Sequence, residues 1–317
     1  MRGYIAKRLL LSIPTILGAL TLVFFAMRLT PGDPAALFVP PDVPGQSSAA
    51  LYAKIRHEYG FDKPLYVQYW DYLTHVAHLD FGDSLRYKQP VTQELASRIP
   101  NTLQLGLIAL AAATVLGIGL GIVSAVHRGS WIDDSSVVGA LLGISVPSFW
   151  LALLLISLLA LRFPIFPVSG FGGPFYTLDG LRHIAMPAAV LAVGGAGGLA
   201  RYTRSAMLEV LNNDYIRTAR AKGVAERTVI IRHALRNALP TIITLLGLGF
   251  GSILGGAVII ETVFSWPGVG RYLISAINGR DYPAVEATVL LIAVSFVFAN
   301  LVTDLLLAYV DPRIRYD

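Results

Sequence analysis

The 317-residue chain contains no cysteine, which removes disulfides, iron–sulfur clusters, thiolate zinc sites and cysteine nucleophiles from consideration. Charge is scarce too: 14% of residues are Asp, Glu, Lys or Arg, against about 25% in soluble domains. The five lysines, at 7, 54, 63, 88 and 222, never follow glycine. The Gly-Lys pair of a phosphate-binding loop is therefore missing, and the chain cannot be its own P-loop motor. His57-Glu58 begins a zincin-like pattern, but Phe61 stands where the second histidine is required, and no Gly-x-Ser-x-Gly elbow occurs. The residues thus point to a chain that is not an enzyme, with no catalytic set, no metal site and no cofactor of its own.

What is present is apolar: 55% hydrophobic residues and a mean hydropathy of +0.62. Crossing about 30 Å of hydrocarbon takes roughly 20 apolar residues at 1.5 Å each. Six stretches free of Asp, Glu, Lys and Arg meet or approach that length: 9–27, 102–126, 135–161, 184–200, 238–260 and 287–303, the last continuing past Asp304 to about Val310. The fourth is short. The expected fold class is an all-α polytopic membrane protein with six transmembrane helices.

The net charge of +5 does not suggest nucleic acid here, because in a membrane chain basic excess marks loops held on the cytoplasmic side. The first stretch follows Arg2, Lys7 and Arg8, yet it is longer than a signal-peptide core and no small-residue cleavage site follows, so it reads as an uncleaved first span. That places both termini in the cytoplasm. The loop between spans four and five then lies inside, carrying Arg201, Arg204, Arg217, Arg220, Lys222, Arg227, Arg232 and Arg236 against Glu209, Asp214 and Glu226. The segment from Thr30 to Asn101 lies outside, with eight acidic residues to six basic ones. Pro31, Pro34, Pro40, Pro41 and Pro44 mark its start as a loop, while Ser48 to Glu58 and Pro64 to His78 have the spacing of short surface helices. The expected organisation is residues 1–101 as first span plus extracytoplasmic segment, and 102–317 as a five-helix core with a cytoplasmic loop at about 200–238.

Ion-coupled carriers bury several ionisable groups near the midplane, and these spans are almost clean. The exception, Asp304, either snorkels or pairs with a basic loop residue, or it has a role in gating or transport. Gly247, Gly251 and Gly255 repeat at four-residue spacing on span five, as do Gly117 and Gly121 on span two. Such faces let helix backbones approach closely. Spacing alone leaves open whether the span-five stripe meets this chain's own helices, a second subunit or a translocation path. The dense Gly194, Gly195, Gly197 and Gly198 suggest a bend in span four.

The stretch Asn213-Asp214-Tyr215-Ile216-Arg217-Thr218-Ala219-Arg220-Ala221-Lys222-Gly223 reads as a capped polar helix ending at a glycine. Val229, Ile230, Ile231, Ala234 and Leu235 form a second helix running to Leu239-Pro240. Two helices meeting at Gly223 make a projecting knob. It is either a solvated basic loop or, given the small Ala219, Ala221 and Gly223, a docking element for another protein.

This region, "LARYTRSAMLEVLNNDYIRTARAKGVAERTVIIRHALRNALP" over 199–240, strongly resembles the EAA loop of ABC importer permeases of the dipeptide, oligopeptide and nickel branch. The resemblance extends along the chain through "LTPGDPA" at 29–35, "YGFDKPLYVQYWDYL" at 59–73, "FGDSL" at 81–85, "SVPSFW" at 145–150, "ETVFSWPGVGR" at 261–271 and "DPRIR" at 311–315, and it looks like the B-type subunit. Arg217 stands where the generic pattern has its leading glutamate, and the Leu-Pro pair lies four residues farther from the glycine.

The resemblance implies a type I importer permease in a prokaryotic inner membrane. Its implied partners are a second homologous permease, two cytoplasmic ATPases that bind the ATP and magnesium, an extracytoplasmic substrate-binding protein, lipid, and a peptide cargo, with nickel, glutathione or another small solute as alternatives. Arg217, Thr218, Ala219, Arg220, Ala221, Lys222, Gly223 and Glu226 would form the coupling element seated on one ATPase. At the outer face, Glu261, Phe264 and Trp266 sit beside the Pro267, Gly268, Gly270 turn. The aromatics would be either interfacial anchors or part of an outer gate, with Glu261 pairing with Arg271 or Arg280.

Overall fold

A computed structural model describes residues 2–33, 35–36 and 48–310. Pro34, Pro40, Pro41, Pro44 and the "DPRIR" segment lie outside the described residues. The described chain is helical apart from turns and one isolated bridge between Asp83 and Pro90.

Helix α1 (Arg2–Leu29) is followed by α2 (Ser48–Glu58) and α3 (Leu65–Ala77), the two short helices expected from spacing. Helix α4 (Val91–Val126) begins well before the apolar run at Thr102, so the expected boundary at 101/102 falls inside a helix. Its first turns carry Glu94 and Arg98, an ion pair at i,i+4. Those charges hid the start of the helix from a hydropathy search.

The third span is not straight. Helix α5 (Trp131–Ser145) and α6 (Ser148–Leu155), which continues as a π-helical segment Ile156–Arg162, meet at 98°. The cause is local: Pro147 has no N–H to continue a helix and holds Val146 extended, at ψ 121°. Counting this pair as one crossing gives six, and five without it.

Helix α7 (Leu178–Leu211), the weak fourth span of the sequence, is the centre of the bundle. Of its most apolar window 56% is buried, against 17% in α1 and in the final helix, so neighbouring helices rather than lipid cover it. It is one continuous helix through Gly194–Gly198. The glycines are dense because they serve several faces. A Cβ at Gly195 would meet Ala113 of α4 at 3.1 Å, and one at Gly197 would meet the Ala140 carbonyl of α5 at 2.5 Å. Gly117 and Gly121 of α4 lie likewise against the Ala196 and Ala200 carbonyls.

After α7 come α8 (Asp214–Ala221), α9 (Glu226–Thr228), a π-helical segment Val229–Leu235, α10 (Arg236–Gly251), α11 (Ile253–Gly256), α12 (Val258–Val263), α13 (Val269–Asn278) and α14 (Tyr282–Val310). The span-five stripe faces α14 of the same chain: a Cβ at Gly251 would meet Phe296 at 3.0 Å, one at Gly255 would meet Ile292 at 3.2 Å, and one at Gly247 would overlap Thr303. It is therefore an internal packing surface.

Three buried polar clasps hold the bundle. Asp133 accepts two hydrogen bonds from Arg204, at 2.7 and 2.8 Å, and one from Ser124, tying the α4–α5 turn to α7. Asp281, fully buried before α14, accepts from Ser84 Oγ and the Leu85 N–H of the "FGDSL" segment. Arg28 of α1 reaches Glu286 of α14 at 2.5 Å. Asp304 pairs with Arg8 at 2.7 Å, a partner on α1 and not in a loop.

Candidate functional site

Two sites bracket the helical stretch Glu226–Gly255. At one end is the knob. Helix α8 starts at Asn213, whose backbone is extended as an N-cap requires but whose side chain makes no capping hydrogen bond. Ile216 is its one fully buried side chain, packed with Met207, Val210 and Val229. Around that anchor Arg217, Thr218, Arg220, Ala221, Lys222, Gly223 and Glu226 are exposed, and Ala219 is half-buried. Arg217 pairs with Asp214 one turn back.

Gly223 adopts φ +76°, the left-handed region where an L side chain is disfavoured. A Cβ there would meet nothing within 4 Å, so glycine is required by the backbone turn and not by space. Across the turn Arg220 donates to both Glu226 oxygens, at 3.1 and 2.7 Å. The result is a closed loop presenting cationic and small side chains on its outer side.

The second helix of the knob joins span five without a break. The sequence runs that helix to Leu239-Pro240 at the mouth of span five, and Pro240 is inside α10. The π-helical turns Val229–Leu235 precede it, and such widened turns absorb a local mismatch in the hydrogen-bond ladder without ending the helix. Thirty residues at 1.5 Å each make a rod of about 45 Å. From Glu226 onward the knob and span five are one rod.

At the other end is a buckle. Phe264 and Trp266 are 1% and 0% exposed, so neither rests at headgroup level as an interfacial anchor. Trp266 Nε1 donates to the Asn101 carbonyl at 2.9 Å, Asn101 Nδ2 returns a bond to the Pro267 carbonyl at 3.0 Å, and Phe171 meets the Trp266 ring edge-on at 5.0 Å. Gly170 N–H donates to the Phe264 carbonyl.

Glu261 is fully buried and pairs with neither Arg271 nor Arg280 through a guanidinium. Its carboxylate accepts instead from Thr102 Oγ1 at 2.6 Å and from the Arg271 backbone N–H at 2.9 Å. Arg271 turns to the Ser265 carbonyl and Arg280 to the Pro31 carbonyl. Burial pushes the Glu261 carboxyl above its ordinary range, and these hydrogen bonds oppose that rise. Gly268 is needed because a Cβ would overlap this carboxylate.

Between the two ends, a hollow of about 170 Å³ opens among α4, α7 and α10, lined by Gly106, Ala109, Ala113, Gly195, Gly249 and Ser252 among others. It lies on the face of α10 away from the Gly247–Gly255 stripe. The sequence offered no signal for Asp133, Asp281 or the Arg28–Glu286 pair, because each sits at the edge of an apolar run where a charge looks solvated.

A family model described as the binding-protein-dependent transport system inner membrane component matches residues 117–316, and its N-terminal counterpart matches residues 1–106. The chain belongs to this permease family. The glutathione transport system permease protein GsiC of Salmonella typhimurium (strain LT2) is 42% identical over 316 residues, covering 100% of both chains. The protein of the same name from Escherichia coli (strain K12) is 40% identical, again over 100% of both. Among solved structures, a chain of the MetNI methionine ABC transporter in an inward-facing conformation matches with a TM-score of 0.57 at 18% identity, covering 69% of this chain and 97% of that one. This likeness concerns fold alone. The permease is thus a multi-pass inner-membrane subunit of an ABC importer, of the type I fold, and it is non-catalytic: ATP hydrolysis belongs to partner ATPases, with a second permease and a binding protein completing the system.

Proposed function

We propose that this permease imports short peptides, contributing half of the translocation path and coupling to one ATPase through the Arg217–Glu226 knob. The observation that carries the coupling assignment is that the second half of the knob, from Glu226, is continuous with span five. A push at α8 crosses the Gly223 turn through the Arg220–Glu226 pair and the Ile216–Val229 packing and so reaches α10. When two partner ATPases bind ATP and magnesium and close, the knob on this chain and its counterpart on a second permease move together, rocking the bundles from inward-open to outward-open.

The knob lies on the cytoplasmic side in this reading, with both termini, as the basic loop requires. The hollow beside Gly249 and Ser252 contributes to the path, where small side chains and backbone accept cargo by shape. The Glu261, Phe264, Trp266 buckle closes the outer end of the bundle and, bonded to Asn101 and Thr102 of α4, is the fixed end of the rod. Dipeptides and oligopeptides are the cargo class first suggested by the motifs. The names of the relatives favour glutathione, itself a tripeptide, within that class.

The test is Gly223→Val. A β-branched residue at φ +76° costs about 1–2 kcal/mol of local strain, while its Cβ has nothing within 4 Å. The assembled importer should form in normal yield but lose substrate-stimulated ATPase activity and uptake. Aspartate would be a weaker probe, since it tolerates the left-handed region. Wild-type ATPase stimulation and uptake in the variant would overturn the coupling role.

A further inference from the structure

The segment between spans one and two does not stand clear of the bilayer. Helix α3 lies beside the last turns of α1: Gln68 accepts from Arg28 Nε at 2.9 Å, Tyr72 stacks on Phe24 at 5.6 Å, Tyr69 stacks on Phe25 at 5.8 Å, and the Tyr69 hydroxyl bonds Thr21 Oγ1 at 2.6 Å. The apolar span of α1 is Leu10–Leu29, 20 residues, just the roughly 20 needed to cross the hydrocarbon. Thr21 is eight residues from its end, so Tyr69 reaches a depth of about 12 Å at 1.5 Å per residue. A helix that touches α1 there has descended to the level of the lipid.

The face of α3 turned away from α1 fits that position. Tyr66 and Trp70, one turn apart, are 75% and 67% exposed. Beside them on α1, Leu22, Phe25 and Leu29 are also uncovered. Phe25 stacks on Tyr69, so the two uncovered surfaces are continuous. Asp71, the one acidic residue of α3, is neutralised by Lys63 at 2.7 Å. Aromatic rings with one polar atom settle at the membrane–water interface, and an amphipathic helix lies in that plane with its apolar face in the acyl boundary.

We propose that α3 is an interfacial helix immersed in the leaflet around the Leu29 end of α1, the outer leaflet in the orientation given above. Its Tyr66–Trp70 face contacts lipid. The occupant is the bilayer, and not the binding protein or the second permease, because the surface continues the lipid face of a spanning helix. A consequence is that α1 and α3 together widen the permease within one leaflet only.

The absence of cysteine in this chain makes the test direct. Trp70→Cys and Tyr66→Cys are spin-labelled in the assembled importer in nanodiscs, any cysteine of the partner subunits having been replaced, with Lys54→Cys on exposed α2 as the solvent control. The label at 70 should relax strongly with oxygen and weakly with a water-soluble nickel chelate, and the label at 54 should do the reverse. Should neither cysteine variant at α3 assemble, quenching of tryptophan emission by brominated phospholipid reads the same contact, and part of it should be lost in Trp70→Phe. Nickel accessibility at 70 equal to that at 54 would overturn the proposal in favour of a solvent or binding-protein surface. Shielding from both relaxants would overturn it in favour of a permease–permease contact, and so would brominated-lipid quenching unchanged by Trp70→Phe.

Discussion

The two ends of the Glu226–Gly255 rod are built on opposite plans. The buckle at Glu261–Gly270 buries Glu261, Phe264, Trp266, Gly268, Val269 and Gly270, with Glu261 and Trp266 bonded to Thr102 and Asn101 of α4 and the Trp266 ring met by Phe171. The knob at Asp214–Gly223 has one fully buried side chain, Ile216, and ion pairs that stand in solvent. A lever needs one end consolidated with the body and one end free to be gripped. The contrast teaches that stability and coupling reside at different ends of the same helix, so substitutions at the two should separate: those at the buckle should cost the fold, those at the knob the transmission.

The largest effect should therefore come from Trp266→Ala. Removing a fully buried indole leaves a cavity and takes away the Nε1 hydrogen bond to the Asn101 carbonyl, a loss of about 3–5 kcal/mol for large aromatic truncations. The variant complex should fall in yield and melt early in detergent, with surviving complexes transporting near normally per molecule. Normal yield with defective uptake would break the contrast, making the buckle a gate rather than a fixed end.

Along the rod the contrast sharpens into a gradient. Alanine at Gly247 overlaps Thr303, at Gly251 it approaches Phe296 at 3.0 Å, and at Gly255 it approaches Ile292 at 3.2 Å. Overpacking costs about 1–3 kcal/mol, so thermal stability should fall most for Gly247→Ala and least for Gly255→Ala, while leucine at Gly251 should impair assembly. Equal effects at the three sites would mean that α10 and α14 slide freely past each other.

These sites differ in how much of them the sequence disclosed. The knob was legible: a polar helix, a terminal glycine and an apolar helix after it are local patterns, and the left-handed Gly223 is their direct consequence. Five straight crossings, the bent α5–α6 pair as a candidate sixth, and both short helices of the 30–101 segment followed from hydropathy and spacing. The buckle was not legible. Phe264 and Trp266 beside a Pro-Gly turn look the same whether they meet lipid or protein, and what decides is Asn101, Thr102 and Phe171, distant in the chain. The same holds for α7, whose modest hydropathy reads as a weak span until its neighbours are seen to cover it. The break at Val146-Pro147 had its signal in the proline, outweighed by the long apolar run around it.

The smallest effect is expected where the contrast is most exposed to error, at the Arg220–Glu226 pair. Both side chains are about half exposed, at 42% and 53%, and surface ion pairs of this kind contribute about 0.2–1 kcal/mol and weaken with salt. The two-pronged geometry across the Gly223 turn is nonetheless good, and it fixes how Ala221 and Lys222 are presented. Arg220→Met, Glu226→Gln and the double variant should each melt within about a degree or two of the parent, given a loss under about 1 kcal/mol in a protein of this size. Uptake should fall modestly in either single variant, and the double should be no worse than the sum. A coupling free energy above about 2 kcal/mol in that cycle would exceed what exposed pairs supply. The knob would then be a second consolidated end, and the rod would have no free one.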